Sequence, residues 1–190
     1  MNRITHSPWF YVTFILASAG VHGVMHANGA FGLEISDNLV QPFMEPAPGH
    51  IEKPFAAGPL IFYFYDLFFN LLQDPDAGFL AGALVLTATN TYVLLKLLSC
   101  LKAPFWLLLA AGLWTVISPS IQLLSIQHPE ILLGLIFLLL LFISLIYKNF
   151  ILMAVFLVHL ILTHYILAGF SVIFLTGYLI KNRGEKTSVF

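Results

Sequence analysis

Two histidines near the N-terminus have a spacing that suits metal binding. His22 and His26 are four residues apart, which places both imidazoles on one face of a helix, one turn from each other. Such a pair can ligate one metal ion, although a complete site needs further ligands. The sequence contains neither an H-E-x-x-H motif nor the His-rich boxes of membrane di-iron enzymes. The alternative interpretation is a pair of interfacial histidines that hydrogen-bond to nearby carbonyls.

Two further histidines lie in the last apolar stretch of the chain. His159 and His164 are five residues apart, so on one continuous helix they point in different directions. Ionisable groups are costly to bury in a membrane and are therefore functional candidates. Either is a candidate axial ligand of a b-type haem, with His22 or His26 as the opposite ligand from another helix. Alternatively, His164 occupies a helix turn at the membrane interface.

The longest polar segment, residues 26–59, carries two early carboxylates. Glu34 and Asp37 closely follow the first apolar stretch. A carboxylate near the membrane plane can act as a general base, or it can bind a divalent cation on a substrate whose tail lies in lipid. These two acids are the candidate catalytic residues. The alternative is a solvated loop that only keeps this face of the protein negative.

Three other acids have simpler interpretations. Asp66 lies in an aromatic stretch; in lipid it must be protonated or paired, whereas on a surface helix it faces water or a headgroup. Asp74-Pro75-Asp76 resembles a carboxylate pair. Because proline fixes φ and aspartate caps helices, we expect this segment to form a turn before a helix that begins near Phe79.

The composition indicates that these residues belong to a membrane protein. Of the 190 residues, 59% are hydrophobic, 9% are charged and 18 are phenylalanine, whereas soluble domains carry roughly 25% charged residues. The chain is therefore predicted to be an all-α, polytopic membrane protein, since helices satisfy their backbone groups within lipid. A net charge of −1 excludes the basic field that nucleic acid requires. One cysteine, Cys100, cannot form an intramolecular disulfide.

Apolar runs define the predicted elements. Residues 9–25 form the first transmembrane helix; the Ala17-Ser18-Ala19 pattern also fits a signal-peptide cleavage site, but we expect the helix to be retained. Residues 26–59 form one long outer loop. The remaining predicted segments are an interfacial or re-entrant helix at 60–73, a helical bundle at 79–180 and a basic tail at 181–190. The bundle and the first helix together give about five to six membrane helices in one domain.

The basic residues distinguish two topologies. In the first, residues 60–72 do not span, and residues 150–180 form two short helices that turn near 164–169. All basic residues except Lys53 then lie on one side: Arg3, Lys96, Lys102, Lys148, Lys181, Arg183 and Lys186. In the second, 60–72 spans and 150–180 is one tilted helix, which separates these cations. Because cytoplasmic loops collect Lys and Arg, the first topology is favoured, with a cytoplasmic N-terminus in a plasma (inner) or organellar membrane.

Four features follow one another along residues 9–145. One helix precedes a long loop with an early acid; Lys53-Pro54 leads to the segment Gly58-Pro59-Leu60-Ile61-Phe62-Tyr63; a helix pair with a basic turn follows; and Ser118-Pro119, then Ser125-Ile126-Gln127-His128-Pro129-Glu130, open the next helix. In this order they resemble the N-terminal module of the C-type integral membrane glycosyltransferases, which use polyprenyl-phosphate-linked sugars and have a Pro-Pro-Leu-x-Tyr-type segment at the end of that loop.

The resemblance implies roles for loop residues. Asp37, or else Glu34, would be the catalytic acid of the first outer loop, either as base on an acceptor hydroxyl or as a metal ligand. His50, Lys53 and Tyr63 would contact a polyprenyl-phosphate substrate. The chain departs from the family in two ways: members usually carry more helices and often a soluble outer domain, and Lys53 is its single outer cation. A donor phosphate would thus need a divalent metal for neutralisation.

Two functions therefore remain open from the sequence. The first is a glycosyltransferase-like module that handles a polyprenyl-linked sugar, alone or with other membrane subunits. The second is a non-catalytic subunit of a membrane redox complex, in which histidines bind haem b or a metal. Neither function involves nucleic acid, and in both the protein contacts membrane lipid.

Overall fold

The computed structural model describes residues 7–27 and 60–187, without the side chains of 26, 27, 122, 123, 127 and 182–187. In this part of the chain 91% of residues are helical and none is in a strand. The helices are α1 (Pro8–Ala27), α2 (Leu60–Leu72), α3 (Pro75–Cys100), α4 (Phe105–Ile117), α5 (Pro119–Gln127), α6 (Pro129–Ile146), α7 (Phe150–Thr163) and α8 (Tyr165–Thr187). The predicted all-α class is confirmed.

Length and apolarity divide these helices into two groups. Among the described residues, three helices are long and apolar enough to cross a membrane: α1, α3 and α6. A fourth span is present if α4 and α5, which meet at a bend of 54°, are counted as one. The apolar helices α2 and α7 and the apolar part of α8 are shorter. The five to six membrane helices expected from the sequence thus include segments below the usual spanning length of roughly 20 residues.

Contacts between side chains fix the helix directions. Thr91 in α3 donates a hydrogen bond to Ser18 in α1 across 3.1 Å, and a Cβ atom at Gly23 would lie 4.0 Å from Leu84. Because residue numbers rise in α1 while their partners fall in α3, these two helices are antiparallel.

The helices α3 and α6 run in the same direction. Cys100, the last residue of α3, has its Sγ atom 3.4 Å from the hydroxyl of Tyr147, which follows α6. Near the other ends of the two helices, one core cluster contains Phe79 and Leu86 of α3 with Leu132 and Leu133 of α6. The parallel pair α3 and α6 forms the centre of the bundle, and α1 packs against α3.

Residues 150–180 form a helical hairpin. The chain breaks at His164, whose φ of −153° and ψ of 95° are extended. A Cβ atom at Gly134 in α6 would lie 3.0 Å from Leu167 at the start of α8, and further along the rings of Phe142 and Phe174 are 5.3 Å apart. Hence α8 runs parallel to α6 and returns to the end of the bundle from which α7 starts.

The apolar stretch 105–124 is bent. The run is long enough for one membrane helix, but α4 ends at Ile117 and α5 starts at Pro119. Proline lacks the backbone N–H and disfavours helical ψ at the residue before it, and Ser118 accordingly has a ψ of 112°. The steric restriction on the residue before proline therefore breaks the helix within a continuous apolar run.

The short helix α2 packs along the first half of α3. A Cβ atom at Gly78 would lie 2.6 Å from the ring of Phe69, and one at Gly82 would overlap the ring of Tyr65. The two glycines therefore permit the close approach. With 13 residues, α2 is roughly 20 Å long, against about 30 Å for a bilayer core, so its length is that of a helix that enters only part-way.

Charge is separated between the two ends of the bundle. Lys96 and Lys102 lie near the end of α3, Lys148 follows α6, and α8 returns towards the same end with Lys181. We call this the basic end. Among the side chains that the structure describes, the acids Asp66, Asp74, Asp76 and Glu130 lie in the half towards the opposite, acidic end, where α3 and α6 begin.

Two turns at the basic end contain a lysine with left-handed backbone. Lys102 has a φ of 57° and Lys148 a φ of 54°. In each turn the next N–H reaches back to a carbonyl five residues earlier, from Ala103 to Leu98 over 3.0 Å and from Asn149 to Ser144 over 2.9 Å. This bonding closes a helix C-terminus in the Schellman manner, at a position that usually carries glycine.

Candidate functional site

Four helices bring polar side chains together towards the acidic end. The Nδ1 atom of His22 in α1 lies 3.3 Å from the Oγ of Ser125 in α5, and the Tyr65 hydroxyl of α2 donates to the backbone carbonyl of Ser125 over 3.4 Å. These three residues are fully buried. With Glu130 and His128, described next, they form what we call the polar cluster.

Glu130 joins the polar cluster from the start of α6. It is buried, and its Oε1 accepts a hydrogen bond from Nδ1 of His128 at 3.3 Å. The His128 side chain is 52% exposed, so the pair connects the buried cluster with the surface of the acidic end. Glu130 lies in the first turn of α6, where the helix dipole favours a negative charge.

The bend at Ser118 and the junction after Gln127 position these residues. Between them α5 has only nine residues, and Ser125 lies in its last turn. His128 is not helical, with a φ of −137° and a ψ of 57°, which allows α6 to begin at once with Pro129. The imidazole and the carboxylate on either side of this proline can therefore meet.

The phenol of Tyr65 is held in its protonated form. Burial raises its pKa well above the ordinary value, and the nearby charge of Glu130 raises that pKa further. The hydroxyl is consequently a hydrogen-bond donor at neutral pH. The cluster thus combines phenol, hydroxyl, imidazole and carboxylate, groups that bind substrate oxygens and exchange protons.

A second polar row lies deeper between α1 and α3. Thr91 shares its hydroxyl proton between Ser18 and the carbonyl of Thr87, at 3.1 Å and 2.9 Å, and Thr87 donates to the carbonyl of Ala83 over 2.9 Å. Because these hydroxyls bond within the bundle, the row stabilises helix packing.

Most of the loop residues that the sequence singled out lie outside the described residues: Glu34, Asp37, His50, Lys53 and the side chain of His26. Tyr63 is described and is 72% exposed, whereas Tyr65, two residues further, is the tyrosine that enters the polar cluster. Asp66 is exposed. The roles of Tyr63 and of the loop residues stay predictions.

The acid turn has the predicted structure. Asp74 accepts hydrogen bonds from the backbone N–H groups of Asp76 and Ala77, over 3.0 Å and 3.2 Å. Asp74 is therefore the N-cap of α3, and Pro75 is its first residue. The sequence analysis expected this helix to begin near Phe79; it begins at Pro75, four residues earlier.

The two candidate haem ligands differ in the nitrogen that remains available. Nδ1 of His159 donates to the carbonyl of Val155 over 2.7 Å, which leaves Nε2 with a lone pair. In His164 the roles are reversed, because Nδ1 accepts the N–H of Leu167 at 3.4 Å and the proton then resides on Nε2. His159 has the protonation of a ligating histidine, and His164 does not.

Within residues 7–27 and 60–187, no group of three or more His, Cys, Asp or Glu side chains could hold a metal ion. His22, one half of the proposed histidine pair, instead contacts Ser125. The metal role of His22 and His26 stays a prediction, because the His26 side chain is not described.

Sequence reasoning did not assign a role to Tyr65, Ser125, His128 or Glu130. The segment 125–130 was noted only as part of the family resemblance. Comparison of the chain with models of protein families, with characterised proteins and with solved structures found no match.

Proposed function

We propose that the chain is a glycosyltransferase-like membrane module that handles a polyprenyl-linked sugar. One observation carries the proposal: the polar cluster lies between the two ends of the acidic loop. The chain leaves α1 at Ala27, five residues after His22, and re-enters α2 at Leu60, five residues before Tyr65. Glu34 and Asp37 belong to the segment that joins these two points.

The surroundings of the cluster suit a substrate with a polar head and a hydrocarbon tail. On α2 three residues at one-turn spacing are apolar or aromatic and exposed: Tyr63 is 72%, Leu67 64% and Leu71 72% exposed. The exposed acid Asp66 lies beside this row. A polyprenyl chain would lie along this surface, and its phosphate and sugar would lie at the acidic end. A divalent metal held by loop carboxylates would neutralise the phosphate, since Lys53 is the loop's one cation.

Lipid-linked donor binding is the first test. The purified protein in nanodiscs is expected to bind a polyprenyl-phosphate-linked hexose saturably, as measured with a radiolabelled donor. The matched control is a straight-chain alkyl phosphate of equal charge, which should bind at least about tenfold more weakly. Equal binding of both lipids would mean that the protein recognises only a charged amphiphile.

Turnover is the second test. Asp37→Asn is expected to lower sugar transfer by about 10² or more and leave donor binding nearly unchanged, because a base or metal ligand contributes mainly in the transition state. Glu34→Gln removes the same charge from the same loop. Equal, mild effects of the two substitutions would indicate that the loop is only a negative surface.

A second function is favoured by the geometry of His159. Its Nδ1–H group is fixed by a backbone carbonyl, an arrangement that orients ligating histidines, and its ring lies 5.1 Å from that of Phe137. In a haem-binding subunit of a membrane complex, His159 would be an axial ligand. A Soret band that appears when haem is added and disappears in His159→Ala would favour this function over glycosyl transfer.

A further inference from the structure

The most exposed part of the polar cluster pairs an imidazole with a buried carboxylate. His128 is half-exposed, Glu130 is buried, and the hydrogen bond between Nδ1 and Oε1 is 3.3 Å long. A carboxylate that accepts the Nδ1 proton fixes the tautomer and the orientation of the ring. It also stabilises the imidazolium that forms when Nε2 takes up a proton.

We infer that His128 and Glu130 form a general-base dyad, with Nε2 of His128 as the proton acceptor for a substrate hydroxyl and Glu130 as its positioning residue. The inference deepens the proposed function and rests on it.

Three features of the structure support this assignment. The dyad is at the acidic end, where α1 ends and α6 begins. The Glu130 side chain is only 11% exposed and the His128 side chain 52%, so a substrate meets the base before its partner. Burial, and after it the charge of Glu130, raises the pKa of Tyr65, and the Tyr65 hydroxyl donates a hydrogen bond to the carbonyl of Ser125. The other ionisable neighbour in the cluster is His22, which contacts Ser125 from α1.

The chemical step follows from these positions. The acceptor oxygen forms a bond to the anomeric carbon of the donor sugar, and the bond from that carbon to the phosphate oxygen breaks. The phosphate leaves with the electron pair, and the hydroxyl proton goes to Nε2 of His128. The resulting imidazolium is paired with the Glu130 carboxylate until the proton passes to water.

The tautomer of His128 provides a test that needs no substrate. In protein carrying ¹⁵N-labelled histidine, the neutral His128 ring is expected to show the Nδ1–H form, with His128→Gln used to assign the signal. Glu130→Ala should remove this preference, and Asp76→Ala, an exposed acid at the same end, should preserve it. An Nε2–H ring in the unaltered protein would overturn the dyad even if Glu130→Ala failed to fold.

Sugar transfer tests the catalytic role. His128→Gln is expected to lower turnover by about 10², with the KM for the donor unchanged, and Glu130→Ala by about tenfold or more. If Asp37→Asn abolishes transfer while His128→Gln retains full turnover, the dyad is wrong and the proposed function stands. If the protein neither binds nor transfers a lipid-linked sugar, the proposed function fails and the base role of His128 fails with it, whatever its tautomer.

Discussion

The contact between Gly82 and the Tyr65 ring determines how closely α2 packs on α3. A methyl group at Gly82 would overlap this ring, and Tyr65 is completely buried and stacked on Phe79, with ring centroids 5.0 Å apart. The ring therefore has no direction in which to move. The same tyrosine bonds Ser125 in the polar cluster, so the glycine affects packing and site together.

We expect Gly82→Ala to destabilise the protein by about 1–3 kcal/mol, because overpacking of a buried ring outweighs the gain of about 1 kcal/mol in helix propensity. The measurement is the thermal unfolding midpoint in detergent. Gly23→Ala is the matched control, since the nearest atom to its Cβ would be 4.0 Å away; it should be neutral or stabilising. A higher midpoint for both variants would contradict the predicted overlap.

The individual residues of the site could be predicted only in part. Asp74 as a cap followed from a local pattern, Asp-Pro before an apolar run. The bonds from Tyr65 and His22 to Ser125 join residues 60 and 103 positions apart, and no periodicity within one segment contains that information. The sequence showed ionisable groups in apolar surroundings but not which of them meet.

His164 determines where α7 ends and α8 begins. Its extended backbone stops α7, and its Nδ1 atom accepts the N–H of the third residue of α8, as a capping side chain does. The hairpin then packs on α6 at Gly134, where a Cβ atom would lie 3.2 Å from Cβ of His164. Cap and packing both depend on this residue.

We expect His164→Ala to weaken the start of α8, with a loss of about 1 kcal/mol in helix stability. Hydrogen exchange should become faster at the amides of residues 166–168 and remain unchanged in α1. His164→Asn retains a capping acceptor and should restore most of the protection. Unchanged exchange in the alanine variant would show that packing on α6 alone holds the turn.

Helix positions were predicted better than helix breaks. The runs that give α1 and α2 were recognised within a few residues, because a long apolar segment in a membrane has few alternatives to a helix. The bend at Ser118 lies within an apolar run that continues to Leu124, so hydropathy alone does not show it. The turn at His164 was expected from charge distribution, and its physical cause is a side-chain cap that hydropathy does not register.

The bundle as a whole has one basic and one acidic end, and this polarity makes its topology testable. In a Cys100→Ser background, Lys181→Cys and Asp76→Cys are expected to react with a membrane-impermeant maleimide from opposite sides, because cations gather on the cytoplasmic side. In sealed right-side-out vesicles Asp76→Cys should be labelled directly, and Lys181→Cys only after permeabilisation. Labelling of both positions from outside would contradict the helical hairpin of α7 and α8 in the membrane.

The two lysines with left-handed backbone have opposite effects on the stability of the folded protein and on its insertion into the membrane. At Lys102 and Lys148 glycine would relieve a strain of about 1 kcal/mol each, so replacing both should make the purified protein more heat-resistant. The same change removes two basic charges, and basic charges bias the orientation in which a membrane chain is inserted. Selecting for thermal resistance alone would then give a population in which some molecules are inserted with the inverted topology. A stabilised version intended for expression in cells should therefore keep both lysines.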